Sequence, residues 1–234
     1  MIEILYKSKN VAVIYKPPLM PSQPDPSGDA DAMTLTATTL RGMGESDALW
    51  LVHRLDRVVG GLMVFARNKR CAAKLGELVS GEGIGKEYLA VCEGDAPIGE
   101  LTDYLYKDAK QGKSFVTDRM RSGVKEAKLI SNKIAEISCE KGIRSLLRIT
   151  LITGRFHQIR AQLSSRHAPI VGDRKYGSRD VGARSVALFA YRLRFKLFGE
   201  MVDITRMPCR DDYPWSLFDE NTVNSVNAEV MING

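Results

Sequence analysis

The chain has 234 residues, of which 44% are apolar and 26% charged, as in ordinary globular proteins. No run of about 18 apolar residues occurs, so the sequence predicts no membrane-spanning helix. The first residues lack the basic start and long apolar run of a secretion signal. The four scattered cysteines form no CxxC pair and no zinc-site spacing. We therefore expect a cytoplasmic protein with reduced thiols and no metal site.

The net charge of +6 is unevenly distributed along the chain. Residues 141–215 hold fifteen Lys/Arg and six Asp/Glu, a net of +9, whereas residues 1–50 have a net of −2. A basic region of this kind indicates a polyanion partner, although a solvated basic face gives the same pattern.

In the first third of the chain, apolar segments bounded by turn residues predict alternating strands and helices. Strands are expected over 11–15, 49–52 and 62–66, the first of them ended by two prolines. Asp31 is positioned to cap a helix over 33–41, and Asn68 to cap a helix ended by Gly81 and Gly83.

The remaining chain is predicted to be rich in hairpins. A strand over 87–92 is followed by a polar region, 101–128, with turns at Gly112 and Gly123. Strands over 127–138 and 143–151 precede a helix over 157–166. Residues 192–197 alternate basic and apolar, which predicts a half-buried strand with one cationic face, and Gly199 turns it towards a strand over 202–204. These elements predict an α+β fold with a mostly antiparallel sheet in one domain, 1–218, followed by a loosely attached tail, 219–234.

One carboxylate has unusual neighbours. Asp56 lies between Arg54 and Arg57, immediately before the apolar segment 62–66. A carboxylate next to cations and core strands is either a structural ion pair or a reacting group. By spacing alone, the structural interpretation is the more common one.

Further segments favour the interpretation of Asp56 as a reacting group. They are Gly154-Arg155-Phe156-His157-Gln158-Ile159-Arg160, Lys86-Glu87-Tyr88, Pro169-Ile170-Val171-Gly172-Asp173 and Tyr176-Gly177. With His53-Arg54-Leu55-Asp56, they resemble the motifs of RluA-type pseudouridine synthases, in which HRLD and GRxHQIR segments meet around a flipped uridine. The similarity runs from about Val11 to about Pro208. The chain departs from the family pattern at Val59-Gly60, at Phe156 and at Ala161-Gln162.

The resemblance implies a fold, an activity and a set of site residues. The fold is a mixed, mostly antiparallel sheet divided by a cleft, with flanking helices and without the small S4 module of many relatives. Asp56 is the expected nucleophile or base, with Arg160 as its ion-pair partner and Tyr88 against the flipped base. Arg54 would fill the space left by that base, and His157 and Gln158 would bind substrate. No cofactor is implied. The expected partner is RNA, ribosomal rather than transfer RNA, bound by a monomer.

Two alternatives come from other functional classes. A metal-dependent hydrolase could use His53, Asp56, His157, His167 and Asp173, but the histidines lack metal-ligand spacing. A non-catalytic RNA-binding protein could share the fold. The presence of Asp56, Tyr88 and Arg160 argues against lost catalysis.

Overall fold

The computed structural model describes residues 1–81, 83–219, 221–222 and 226. The elements in that part of the chain are β1 (Glu3–Lys7), β2 (Val11–Lys16), α1 (Ala32–Gly42), β3 (Trp50–Leu51), β4 (Gly60–Ala66), α2 (Lys69–Ser80), β5 (Ile84–Glu93), β6 (Gly99–Asp108), β7 (Lys113–Val116), β8 (Val124–Cys139), β9 (Gly142–Leu151), α3 (Gln158–Ser164), β10 (Leu188–Leu197) and β11 (Glu200–Thr205). Short 3₁₀ turns lie at Arg174–Tyr176 and Trp215–Leu217. The predicted α+β class is confirmed.

The chain divides into two compact units, residues 1–86 with 189–208 and residues 87–188 with 209–234. The first unit contains an antiparallel β1–β2 pair, and β2 pairs with β4 in the same sense. β3 also pairs with β4 in antiparallel fashion, whereas β10 pairs with β4 in parallel and forms a hairpin with β11. Helix α2 packs its buried Cys71 and Leu75 into the core beside β4 and β10.

The two predicted helix caps in this unit are confirmed. The carboxylate of Asp31 accepts a hydrogen bond from the backbone N–H of Thr34, and the Asn68 amide oxygen accepts one from that of Cys71. Each bond satisfies one of the N–H groups that have no partner inside the helix. Local side-chain chemistry therefore sets where both helices begin.

The second unit contains an antiparallel sheet in the order β5–β9–β8–β6–β7. The positive φ angles of Gly112 and Gly123 lie at the predicted turns. Helix α3 places Ala161 in a small core with Leu105, Ala127 and Tyr176. This packing positions the helix that contains the last three residues of the GRxHQIR segment.

Some sequence expectations differ from the structure. α3 is shorter than predicted because His157 has φ 53°, a left-handed conformation outside the helix, and the helix ends at Ser164. Arg192 was expected on a cationic face, but it is 8% exposed and pairs with Asp203, with Nη2 2.7 Å from Oδ2. β1 was not predicted at all. Its short, partly exposed sequence gives a weak local signal.

The predicted tail lies mostly outside the described residues. Of that segment, residues 219, 221–222 and 226 are described, and Val226 is buried. The single-domain boundary at residue 218 stays a prediction. Within the described ranges, no helix is long and apolar enough to cross a membrane.

Candidate functional site

Asp56 lies in the irregular segment between β3 and β4 of the first unit. A turn closes there, in which the Val59 N–H donates to the Asp56 carbonyl oxygen at 3.0 Å. Leu55 and Val59 on either side are 6% and 3% exposed. These two apolar anchors fix the turn in the core while the Asp56 side chain remains only partly buried.

Two polar side chains hold the backbone of this turn. The Ser22 hydroxyl donates to the Leu55 carbonyl at 2.7 Å and accepts from the Leu55 N–H at 3.2 Å. The fully buried Lys16 ammonium donates to the carbonyl oxygens of Pro17, Met20 and Arg57 at 3.0, 2.8 and 3.3 Å. Burial lowers the pKa of Lys16 to about 7, against a smaller opposing effect of the Asp56 carboxylate. A buried amine therefore braces the turn from inside.

His53 and Gly61 attach the same segment to the sheet. The Val64 N–H donates to His53 Nε2 at 3.1 Å, and burial lowers the pKa of His53 to about 4, so the ring is neutral at pH 7. A Cβ on Gly61 would lie 2.4 Å from the Ala190 carbonyl oxygen, and Gly61 has φ 128°. Only glycine permits this close approach of β4 to β10.

The two arginines beside Asp56 have different surroundings. Arg57 forms ion pairs with Asp25 and Asp29 and donates to the Ser27 hydroxyl at 3.0 Å. Arg54 is exposed, and no hydrogen bond or ion pair to it is found in the ranges that the structure describes. Arg57 thus holds the loop around residues 25–29, whereas Arg54 is directed to solvent.

In the second unit, Arg160 on α3 forms a two-point ion pair with Asp173. Its Nε and Nη2 donate to Oδ2 and Oδ1 at 2.6 and 2.9 Å, and both side chains are at least 95% buried. The Tyr176 ring centroid lies 4.9 Å from the guanidinium carbon. Such a pair fixes the plane of the guanidinium as well as its position. The sequence had singled out both segments, but not their mutual contact.

His157 lies at the start of α3 against the same tyrosine. Its Nδ1 is 3.0 Å from Tyr176 Oη, which accepts from the Ser114 N–H at 2.8 Å. Burial, with the neighbouring Arg160 and then Lys175, lowers the pKa of His157 to about 3. In a neutral ring, Nδ1 can accept a hydrogen bond from the Tyr176 hydroxyl, so that Nε2 carries the ring proton and is a hydrogen-bond donor.

Phe156 and Gln158 flank His157. The Phe156 ring stacks on His157 at 3.8 Å between centroids, with the Lys107 ammonium 4.6 Å from the phenyl centroid. The Gln158 Oε1 accepts from the Thr153 hydroxyl at 2.8 Å and from the Arg155 N–H at 3.0 Å, and Nε2 donates to the Lys128 carbonyl at 3.0 Å. These three bonds favour a role for Gln158 in holding the turn before α3.

The structure therefore brings Arg160, His157 and Gln158 together at α3. Their partners are Tyr176, which the sequence analysis named only as part of a motif, and Ser114, which it missed. Tyr88 lies in the same unit on β5, 7% exposed and opposite Ile149. Asp56 and Arg54 belong to the first unit. In the described part of the chain, no group of three or more His, Cys, Asp or Glu side chains is arranged to hold a metal ion.

Comparison with known sequences finds a match to one protein family. The sequence model of the family described as RNA pseudouridylate synthase matches residues 10–165, a range that contains Asp56, Tyr88 and Arg160. An uncharacterized RNA pseudouridine synthase of Haemophilus influenzae is 29% identical over 70% of this chain and 71% of its own length. RNA pseudouridine synthase 7 of Oryza sativa is 33% identical over 79% of this chain. Ribosomal large subunit pseudouridine synthase D of Borreliella burgdorferi is 26% identical over 84% of this chain.

The match covers 47% of the rice protein and 61% of the Borreliella protein, so the chain spans about half to three fifths of these two relatives. Among solved structures, human RNA pseudouridylate synthase domain containing 4 superposes with a TM-score of 0.72 at 23% identity, over 89% of each chain. Human RNA pseudouridylate synthase domain containing 1 gives 0.74 at 20% identity, over 90% of this chain and 84% of that one. These likenesses confirm the predicted fold.

Proposed function

The chain belongs to the RNA pseudouridylate synthase family, a family of RNA-modifying isomerases, and we propose that it converts uridines in RNA to pseudouridine with Asp56 as the reacting carboxylate. The observation that supports this most is the Asp56 turn itself. It is anchored by buried Leu55 and Val59 and braced by Lys16, while Asp56 itself is only partly buried. A fixed carboxylate that solvent can reach is the group this isomerisation needs.

The reaction breaks the C1′–N1 bond of uridine, rotates the uracil and forms a C1′–C5 bond, while the C5 proton is lost and N1 gains one. Atoms and electrons balance without an oxidant or an activated phosphate. Asp56 could add to C1′, or it could remove the C2′ proton so that a glycal forms. Both routes require a carboxylate that is held in a defined position next to the reacting sugar carbon.

The other site residues receive roles that suit their surroundings. We assign Arg160, oriented by Asp173, to balancing the charge of the reacting carboxylate, and Tyr88 to the flipped base. Exposed Arg54 would enter the space that the base leaves. Neutral His157 can donate from Nε2 to substrate. Gln158 would act by holding the turn before α3, since its amide bonds lie within the protein.

Ribosomal RNA is the proposed substrate, with transfer RNA second. The relative in Borreliella is named for the large ribosomal subunit, and a mitochondrial relative of Saccharomyces cerevisiae, 28% identical over 77% of this chain, for tRNA position 32. We propose a monomer that acts in the cytoplasm, which light scattering and cell fractionation would test. Mapping pseudouridine across all cellular RNA, with and without this protein, would identify the substrate.

The Asp56→Asn variant tests the chemistry directly. The change keeps shape and removes the only reacting group proposed, so conversion should fall to the level of a control without enzyme. RNA affinity and the urea unfolding midpoint should stay near those of the wild type. Measurable turnover by the purified variant would refute the assignment. Wild-type protein that binds RNA and converts none would indicate a non-catalytic RNA-binding protein.

A further inference from the structure

Three turns of the first unit meet at the end of the sheet far from Asp56. In the β2–β4 pair, Lys16 lies opposite Gly61 and Val11 opposite Ala66. The β1–β2 turn therefore lies beside the junction of β4 with α2. β4 runs about 20 Å from the Asp56 turn to this end, at about 3.3 Å per residue. The β10–β11 turn reaches the same place, because β10 runs parallel to β4.

An open cavity of about 420 Å³ lies between the first two turns and the segment after α1 that holds Glu45 and Ser46. It is lined by Lys7, Ser8, Lys9, Glu45, Ser46 and Arg67. The Arg67 guanidinium is fixed by the Ser8 carbonyl at 2.9 Å and by Glu45 at 2.7 Å, and Lys7 also contacts Glu45. Three cations thus line the cavity with one carboxylate. The net positive charge of this lining favours an anionic group such as a phosphate.

The third turn adds an exposed aromatic ring. Phe198 is 46% exposed and has φ 49°, a conformation that bulky residues rarely adopt. The Arg70 guanidinium lies 4.6 Å from the ring centroid. Lys69 and Arg70 stand in the first turn of α2, where the helix dipole disfavours cations. The ring is thus exposed on a backbone conformation that is unfavourable for phenylalanine, and the two cations lie at the unfavourable end of their helix.

We propose that this end of the first unit is a second RNA-contact surface, with a phosphate in the cavity and a nucleobase stacked on the Phe198–Arg70 pair. Six cations stand in these turns or next to them in the chain, with the carboxylates of Glu45 and Glu200: Lys7, Lys9, Arg67, Lys69, Arg70 and Lys196. RNA supplies both the phosphates and the flat bases that such a surface binds. The proposal rests on the proposed function, and it extends the RNA about 20 Å beyond the reacting uridine.

The test uses two variants of the full chain. Lys9→Gln/Arg70→Gln/Phe198→Asn removes two charges and the ring, and asparagine tolerates the left-handed conformation. Lys125→Gln/Lys133→Gln removes two charges on β8, in the second unit, as the matched control. Conversion kinetics are measured on total RNA from cells that lack this protein. Binding of the same RNA is measured over a range of KCl concentrations.

For the triple variant, we expect the half-saturating RNA concentration to rise roughly tenfold with an unchanged kcat, which separates this surface from the reaction site. The slope of log affinity against log salt should become shallower by about 1.5. The control should change neither. Unchanged half-saturation and salt slope, an equal change in the control, or a loss confined to kcat would each overturn the proposal. If wild-type protein converts no uridine, the proposed function fails, while the binding comparison still decides this surface.

Discussion

The Asp56 turn and the Arg160 region hold their charged groups by different means. The turn is braced by a buried amine that bonds to three backbone carbonyls, and by a glycine that lets two strands meet. Arg160 is held by a buried carboxylate and an aromatic ring. Backbone carbonyl dipoles compensate the charge of Lys16, whereas the full negative charge of Asp173 compensates that of Arg160. We therefore expect the stability of the Asp56 turn to depend on pH and on backbone shape. The stability of the Arg160 region should depend on the presence of both ion-pair partners.

Removing the Asp173 charge should have the largest effect on stability. Asp173→Asn removes the buried two-point ion pair with Arg160, which should cost about 3–5 kcal/mol of unfolding free energy. Urea unfolding measures it. The matched control is Glu77→Gln, because Glu77 pairs with Lys74 and the two side chains are 66% and 47% exposed. There the loss should be about 1 kcal/mol. Equal losses would show that burial does not distinguish the two pairs.

A methyl group at Gly61 should destabilise the contact between β4 and β10 that supports the Asp56 turn. Gly61→Ala places a Cβ against the Ala190 backbone, and we expect a loss on the order of 3 kcal/mol. Gly76→Ala on α2 is the control, since its Cβ would meet nothing within 4 Å. That helical site should gain about 0.5–1 kcal/mol. A Gly61→Ala protein as stable as wild type would contradict the close approach of β4 and β10.

The arginines beside Asp56 permit a sharper test within the turn. Arg54→Ala should slow single-turnover conversion in structured RNA by about 2 kcal/mol, roughly thirtyfold, because the vacated stack is left unfilled. A short unstructured oligonucleotide should be affected much less. Arg57→Ala should mainly loosen the 25–29 loop and change both substrates alike. Equal losses on both substrates for Arg54→Ala would count against base replacement.

The buried Lys16 predicts a pH effect of known sign. Unfolded lysine keeps its proton up to about pH 10.5, whereas folded Lys16 has a pKa of about 7. Between these values the unfolded state binds more protons, so this group's contribution to stability rises with pH. Relative to Lys16→Met, the wild type should gain about 1–2 kcal/mol between pH 7 and 9. Unfolding free energies are measured in urea at each pH. If those of the wild type and of Lys16→Met changed in parallel with pH, the pKa of folded Lys16 would not be lowered.

Local chemistry made much of the fold predictable. Asp31 and Asn68 cap helices through bonds to N–H groups three residues away. Gly199 turns the β10–β11 hairpin with φ 89°. These signals act within a few residues, so they need no knowledge of the rest of the chain. Where packing competed with local preference, the prediction was wrong. Arg192 is buried although a cationic face was predicted, and His157 is left-handed although a helix was predicted.

The sequence by itself determined the family motifs, the helix caps, most strands and the isolation of Asp56 between two arginines. Tertiary structure alone decided which charges meet. Arg160 lies against Asp173, the Lys16 ammonium reaches the Arg57 carbonyl, and the Tyr176 hydroxyl reaches His157. These contacts join different segments, and the energies that select them come from burial and charge compensation. Such terms are set by the three-dimensional surroundings of each group, which residue spacing along the chain does not contain.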